Sequence, residues 1–117
     1  MTPELRQAVQ SAQDRKALDL SVLNLEGKCS FANYFLICSG TSNRHTRAIC
    51  DAILEGLEKA GVSPAHIEGY PQAEWILIDY LDFVVHIFSE RARHFYDLER
   101  LWKTAARVQL GTMNAEG

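Results

Sequence analysis

Apolar positions along the chain recur with two different periods, and the switches between them mark the elements. Over residues 3–17, Leu5, Ala8, Val9 and Ala12 fall at helical spacing as a modest apolar stripe. Thr2 suits the cap of that helix, Pro3 its first position and Glu4 its positive end. Residues 19–25 alternate in part and read as a strand, which Gly27-Lys28 breaks. Residues 33–39 are almost continuously apolar, the pattern of a strand buried on both faces. The clearest stripe spans residues 43–60. Counted from Ile49, its apolar or small residues Ala52, Ile53, Gly56, Leu57 and Ala60 lie 3, 4, 7, 8 and 11 positions on. Thr41 or Ser42 can cap this helix and Gly61 can end it.

Further on, residues 64–68 predict a short strand, and Gly69 and Pro71 a turn. Residues 75–80 and 83–88 predict two strands joined tightly at Leu81-Asp82. A last helix is predicted from Glu90 to about Arg107, with Leu98, Leu101, Trp102 and Ala105 on its apolar side. The order α-β-β-α-β-β-β-α predicts an α/β domain over residues 1–117, with one mixed sheet of about five strands flanked by helices. Its ordered core spans about residues 3–107, and the tail 111–117 reads as frayed.

A register follows for the tight hairpin. With a two-residue loop at Leu81-Asp82, Tyr80 pairs with Phe83, Ile78 with Val85 and Ile76 with Ile87. These six side chains share one face, wholly apolar or aromatic, and predict core. Trp75, Leu77 and Asp79 share the other face with Phe88, His86 and Val84. Two aromatics, a carboxylate and an imidazole are not what a dry core prefers, and they match the anchor composition of protein interfaces. The alternative is a face covered by a helix, with Asp79 and His86 bonded to each other or to backbone. Leu81 is a poor residue for the positive φ that two-residue loops require, which argues for a longer turn.

Composition narrows the functional classes. With 12 basic and 15 acidic residues the net charge is −3, against sequence-independent binding of DNA or RNA, which wants a surplus of Lys and Arg. The expected partner is a protein, with any rRNA contact peripheral. Cys29, Cys38 and Cys50 show no metal-ligand spacing and read as reduced thiols. No stretch approaches the roughly 20 apolar residues of a membrane helix, and the N-terminus lacks the marks of a signal or transit peptide. A cytoplasmic location is expected.

Candidate chemistry is sparse. The turn Ser39-Gly40-Thr41-Ser42-Asn43 joins a buried strand to a helix, a place where free N–H groups can bind phosphate. Arg44, His45 and Arg47 near that helix start oppose its dipole, so an anion or an acidic partner would account for them. Otherwise Arg47 pairs with Asp51, and Gly40 serves structure. No phosphate-loop spacing is present. Asp79 and Asp82 have the spacing D-x-x-D, which in a regular strand points them to opposite faces, unlike the D-x-D of metal-dependent nucleotidyltransferases. His45, His66, His86 and His94 lack metal-ligand spacing, and Cys38 sits in an apolar run where thiols are inert. No catalytic residue, cofactor or metal site is indicated.

Three segments resemble the ribosomal silencing factor (RsfS/iojap) family. They are residues 19–25 with 32–44 and 47–49; residues 74–80 with 82–88; and residues 95–102. Together the resemblance spans roughly residues 5–103. It implies a nucleotidyltransferase-like α/β fold without that superfamily's catalytic carboxylate set. It further implies binding to the large ribosomal subunit at ribosomal protein L-fourteen, which blocks subunit joining when nutrients are short. Family members are implied to be homodimers when free, and relatives in organelles are implied to assist large-subunit assembly. Trp75, Leu77, Asp79, Tyr80 and His86 occupy the second segment and are the expected partner-binding residues. Trp75 and Tyr80 would be anchors, Asp79 would meet a basic group, and Arg44 and Arg47 would form a contact rim. Phe95, Tyr96, Leu98, Leu101 and Trp102 would serve core or dimer packing. The family commonly carries Gly where this chain has Leu81. Three functions compete on these grounds: a steric silencing factor, a large-subunit assembly factor, and a nucleotidyltransferase-like enzyme.

Overall fold

The computed structural model describes residues 1–97, 100 and 106–108. Helix α1 (Pro3–Asp14) starts as predicted, with the Thr2 hydroxyl accepting from the Leu5 N–H. It stops three residues short of the predicted end, and Lys16 takes a positive φ. Strand β1 (Leu18–Asn24) runs antiparallel to β2 (Tyr34–Gly40), with a register shift between Leu18 and Ser21. Helix α2 (Asn43–Lys59) is capped by Ser42, whose hydroxyl accepts from the His45 N–H. Strand β3 (His66–Glu68) is shorter than predicted, and β4 (Trp75–Asp79) and β5 (Phe83–Ser89) form the hairpin. Helix α3 (Glu90–Tyr96) follows β5 at once, with Ser89 as its cap.

The strands form one mixed sheet in the order β3-β4-β5-β2-β1-β6. Among the described strands only β2 and β5 pair in parallel, so the chain between them must cross over, and α2 covers the sheet on the way. The five predicted strands are all present. A sixth, β6 (Ala106–Arg107), adds two residues antiparallel to β1 at the edge.

That sixth strand corrects the predicted last helix, which does not continue from Glu90 to Arg107. Asp97 adopts the left-handed conformation with φ 43 and ψ 55, which terminates α3, and Ala106–Arg107 is extended. Helical spacing of apolar residues did not reveal this stop because Asp97 is neither Gly nor Pro. Leu98, Leu101, Trp102 and Ala105, and the tail 111–117 expected to fray, lie outside the described residues.

The sheet separates two apolar clusters. On one face, Leu5, Ala8, Val9 and Ala12 of α1 and Ile49, Cys50, Ile53 and Leu57 of α2 pack on Ile76, Ile78, Val85 and Ile87. This is the hairpin face that the register argument assigns to core. The second cluster lies on the other face and joins Phe35, Ile37, Val84 and Phe88 to Ala92 of α3 and to Leu25 and Ala32 of the β1–β2 connection. Arg93 ties α3 to the sheet by donating to the Ser39 hydroxyl at 2.9 Å and the Asp19 carbonyl at 2.7 Å.

Candidate partner-binding surface

The observed hairpin register is the one derived from the two-residue loop: Trp75 opposes Phe88, Leu77 opposes His86, and Asp79 opposes Val84. The loop has two residues in spite of Leu81, which takes φ 71. The Asp79 carboxylate stabilises that turn by accepting from the Leu81 N–H at 2.8 Å. The Tyr80 N–H closes the hairpin onto the Phe83 carbonyl at 2.9 Å. The Leu81 side chain projects from the tip and is 67% exposed.

Trp75 is the centre of an aromatic group on the α3 side of the sheet. Its ring centroid lies 5.0 Å from Phe88, 4.7 Å from Tyr96 and 5.9 Å from His86. Its indole N–H donates to His86 Nδ1 at 3.1 Å. His86 is buried, and its ring meets Phe35 edge-on with centroids 4.5 Å apart. Burial alone pushes the imidazole pKa down to about 4, so the ring is neutral. Trp75, Leu77 and Asp79 are each partly exposed, and Tyr96 extends the aromatic surface at 48% exposure.

The segment leading into Trp75 is held from several sides. Gly69 lies so close to β4 that a Cβ there would stand 2.0 Å from the Trp75 carbonyl oxygen, and its φ is +81. Arg47 donates to the carbonyls of Tyr70 and Pro71. The Thr46 hydroxyl lies 2.8 Å from the Ala73 carbonyl, to which it donates. The Ser89 hydroxyl donates to Glu74 at 2.7 Å, and the Ser89 N–H donates to the Glu74 carbonyl. That hydroxyl bond, with Arg91 beside it, holds the Glu74 carboxyl below its usual range. Anchor and support thus come from three places in the chain: the α2 start, the β3–β4 connection and the β5–α3 junction.

The structure divides the predicted site. Trp75, Leu77, Asp79 and His86 do share one face, but Tyr80 is on the other, 8% exposed and stacked on Phe83 at 5.1 Å. Tyr80 is therefore a core residue in this conformation and is not presented beside Trp75. Arg47 is committed to backbone carbonyls and does not pair with Asp51, which accepts instead from the Tyr70 hydroxyl. Arg44 is exposed on the first turn of α2. Phe95 and Tyr96, expected in core or dimer packing, are exposed in this chain. Sequence reasoning missed Tyr96 as a neighbour of Trp75, because only the fold brings α3 beside the start of β4.

The residues weighed for catalysis make other contacts among the described residues. Asp79 is engaged in its turn, while Asp82 accepts from the Asn33 side-chain amide at 2.8 Å. Among the described residues no group of His, Cys, Asp and Glu could hold a metal ion. A Cβ on Gly40 would stand 2.9 Å from Thr46, so this glycine is needed for close packing of strand on helix. His45 is likewise structural, with Nδ1 accepting from the Thr41 N–H and Nε2 2.7 Å from the Arg15 carbonyl. Cys38 is fully buried, and burial raises its thiol pKa to about 12, which leaves it inert.

Comparison with known proteins agrees in both sequence and shape. A solved structure from Chromobacterium violaceum superposes with a TM-score of 0.85 at 30% identity, covering 88% of each chain. Another from Bacillus halodurans gives 0.80 at 37% identity, over 90% of this chain and 95% of that one. The protein called ribosomal silencing factor RsfS in Halalkalibacterium halodurans is 40% identical over 91% of each chain. That of Bacillus subtilis is 37% identical over 91% of this chain and 90% of its own. A mouse protein named for mitochondrial assembly of the ribosomal large subunit is 30% identical over 77% of this chain and 41% of its own. The class is thus one of small mixed-sheet α/β proteins whose members are named as silencing or assembly factors and not as enzymes. The family profile described as ribosomal silencing factor during starvation matches residues 1–117, and the chain belongs to that RsfS family.

Proposed function

We propose that this protein is a non-enzymatic silencing factor of the cytoplasm. It docks on the large ribosomal subunit through a ribosomal protein and sterically blocks joining of the small subunit. The observation that carries this reading is the aromatic surface around Trp75, partly exposed, packed on Phe88 and Tyr96 and hydrogen-bonded to His86. An anchor held in place before contact loses little conformational entropy on binding. Aromatic anchors of this kind dominate interface energetics. The net charge of −3 suits a basic protein partner, and ribosomal protein L-fourteen is the one that the family resemblance implies. Asp79 at the edge of the surface supplies a carboxylate for such a partner. A free homodimer would have to open its shared surface before docking.

The test is co-sedimentation with purified large subunits. Trp75→Ala is expected to weaken binding by about 30-fold or more, the loss of one interface hot spot. Unchanged binding would remove this surface from the proposal. A second reading, a factor for large-subunit assembly, is favoured by similarity to the mouse mitochondrial protein. Immature large subunits accumulating on deletion, with subunit joining unaltered by the purified protein, would select it.

A further inference from the structure

His86 is an anomalous residue for its position. It is only 4% exposed, in the middle of a sheet, among Phe35, Phe88 and Trp75. An indole nitrogen can only donate, so Nδ1 must be the acceptor in the 3.1 Å bond with Trp75. The neutral ring then carries its proton on Nε2. That nitrogen is buried and has no hydrogen-bond partner among the described residues. A buried donor left unsatisfied is a standing cost to stability. A leucine or phenylalanine would fill the same space without it. What an apolar residue would not supply is an acceptor for the indole. The bond to the Trp75 indole, the one polar side-chain contact of His86 among the described residues, is therefore the feature that distinguishes it from ordinary packing.

We infer that His86 is a positioning residue, whose Nδ1 fixes the rotation of the Trp75 indole so that the ring is presented to a partner ready for contact. The inference rests on the proposal that Trp75 is the docking anchor. The surroundings define only part of the indole's orientation. Phe88 and Tyr96 offer ring faces, along which an indole can slide or flip, and their tilted geometries at 33° and 47° impose no single rotamer. A directional hydrogen bond to one ring nitrogen removes that freedom. His86 acts from below the surface and touches the partner only through the indole it holds.

Two measurements test this, one without any partner. The protein labelled with 15N-tryptophan has two indole signals, which Trp75→Phe assigns. The Trp75 indole N–H is expected to exchange with solvent about tenfold more slowly than that of a short tryptophan peptide. The His86→Leu variant should lose that protection, and His86→Asn, which keeps an acceptor near the place of Nδ1, should retain part of it. Free exchange of the Trp75 indole in the unaltered protein overturns the inference and needs no variant to fold. The second measurement is affinity for purified large subunits. His86→Leu should weaken binding about five- to tenfold, and should add nothing in a Trp75→Phe background. Equal losses in both backgrounds overturn the inference, because His86 would then act apart from the indole. The docking proposal fails differently: Trp75→Ala would leave binding intact while the Trp75 indole N–H of the unaltered protein proved to be protected.

Discussion

At the scale of single residues, two side chains occupy positions that local preference disfavours. His86 is neutral because burial depresses its pKa to about 4 against an ordinary value of 6.5. An unfolded chain therefore takes up a proton on this ring at a higher pH than the folded one. The stability that His86 contributes is complete above about pH 6.5 and is lost as pH falls toward 4. Between pH 7.5 and 5 the loss is about 2 kcal/mol. Among the described residues the ring lies beside Trp75, Phe35, Phe88, Leu77 and Ile37, none of them charged, and desolvation by burial sets the shift. Urea unfolding at the two pH values checks this, with His86→Leu expected to lack that share of the pH dependence. Leu81 is the other case. A β-carbon at φ 71 is strained, and the side chain gains almost nothing from burial at the exposed tip. Leu81→Gly is expected to stabilise the protein by about 1 kcal/mol, seen as a rise of a few degrees in melting temperature.

At the scale of elements, the surface depends on a connection that fits its neighbours closely. Gly69→Ala would drive a methyl group into the Trp75 carbonyl at a backbone conformation that L-residues rarely adopt. A loss of about 3 kcal/mol or more is expected, measured by chemical denaturation, as for other forced clashes in packed structure. Arg47→Ala removes the bonds to the Tyr70 and Pro71 carbonyls. It should cost about 1–2 kcal/mol in the same measurement and weaken large-subunit binding by loosening the approach to Trp75. Much of this architecture was legible in the sequence. The stripe in α2, the continuous run of β2 and the alternation in β4 and β5 gave elements and even register, because each obeys one period over its length. The end of α3 was hidden, since an aspartate in the left-handed conformation leaves no mark in hydrophobic spacing. Tyr80 shows a different limit. Its place in a motif suggested an anchor, while its parity along the strand put it in the core, and parity prevailed. Arg47 looked like a rim cation because its acceptors are backbone carbonyls some 24 residues away, which no local pattern reports.

At the scale of the whole molecule, the α3 side of the sheet carries an aromatic group centred on Trp75. The α1 and α2 layer closes one side of the sheet with an apolar core, and among the described residues the other side carries α3, the β1–β2 connection and the surface around Trp75. Steric silencing needs no more than tight placement and bulk, and a chain with radius of gyration 13.0 Å supplies a solid obstacle at the contact. The acidic net charge and the proposed protein contact predict that a nuclease-treated lysate still yields a large-subunit protein on the immobilised chain. Central to the account is the block on joining, and it is tested by mixing purified large and small subunits with and without saturating protein and following their association by light scattering. The account predicts that large subunits carrying the protein stay separate, and that Trp75→Ala restores joining at the same protein concentration. Normal association of large subunits shown to carry the protein would contradict it.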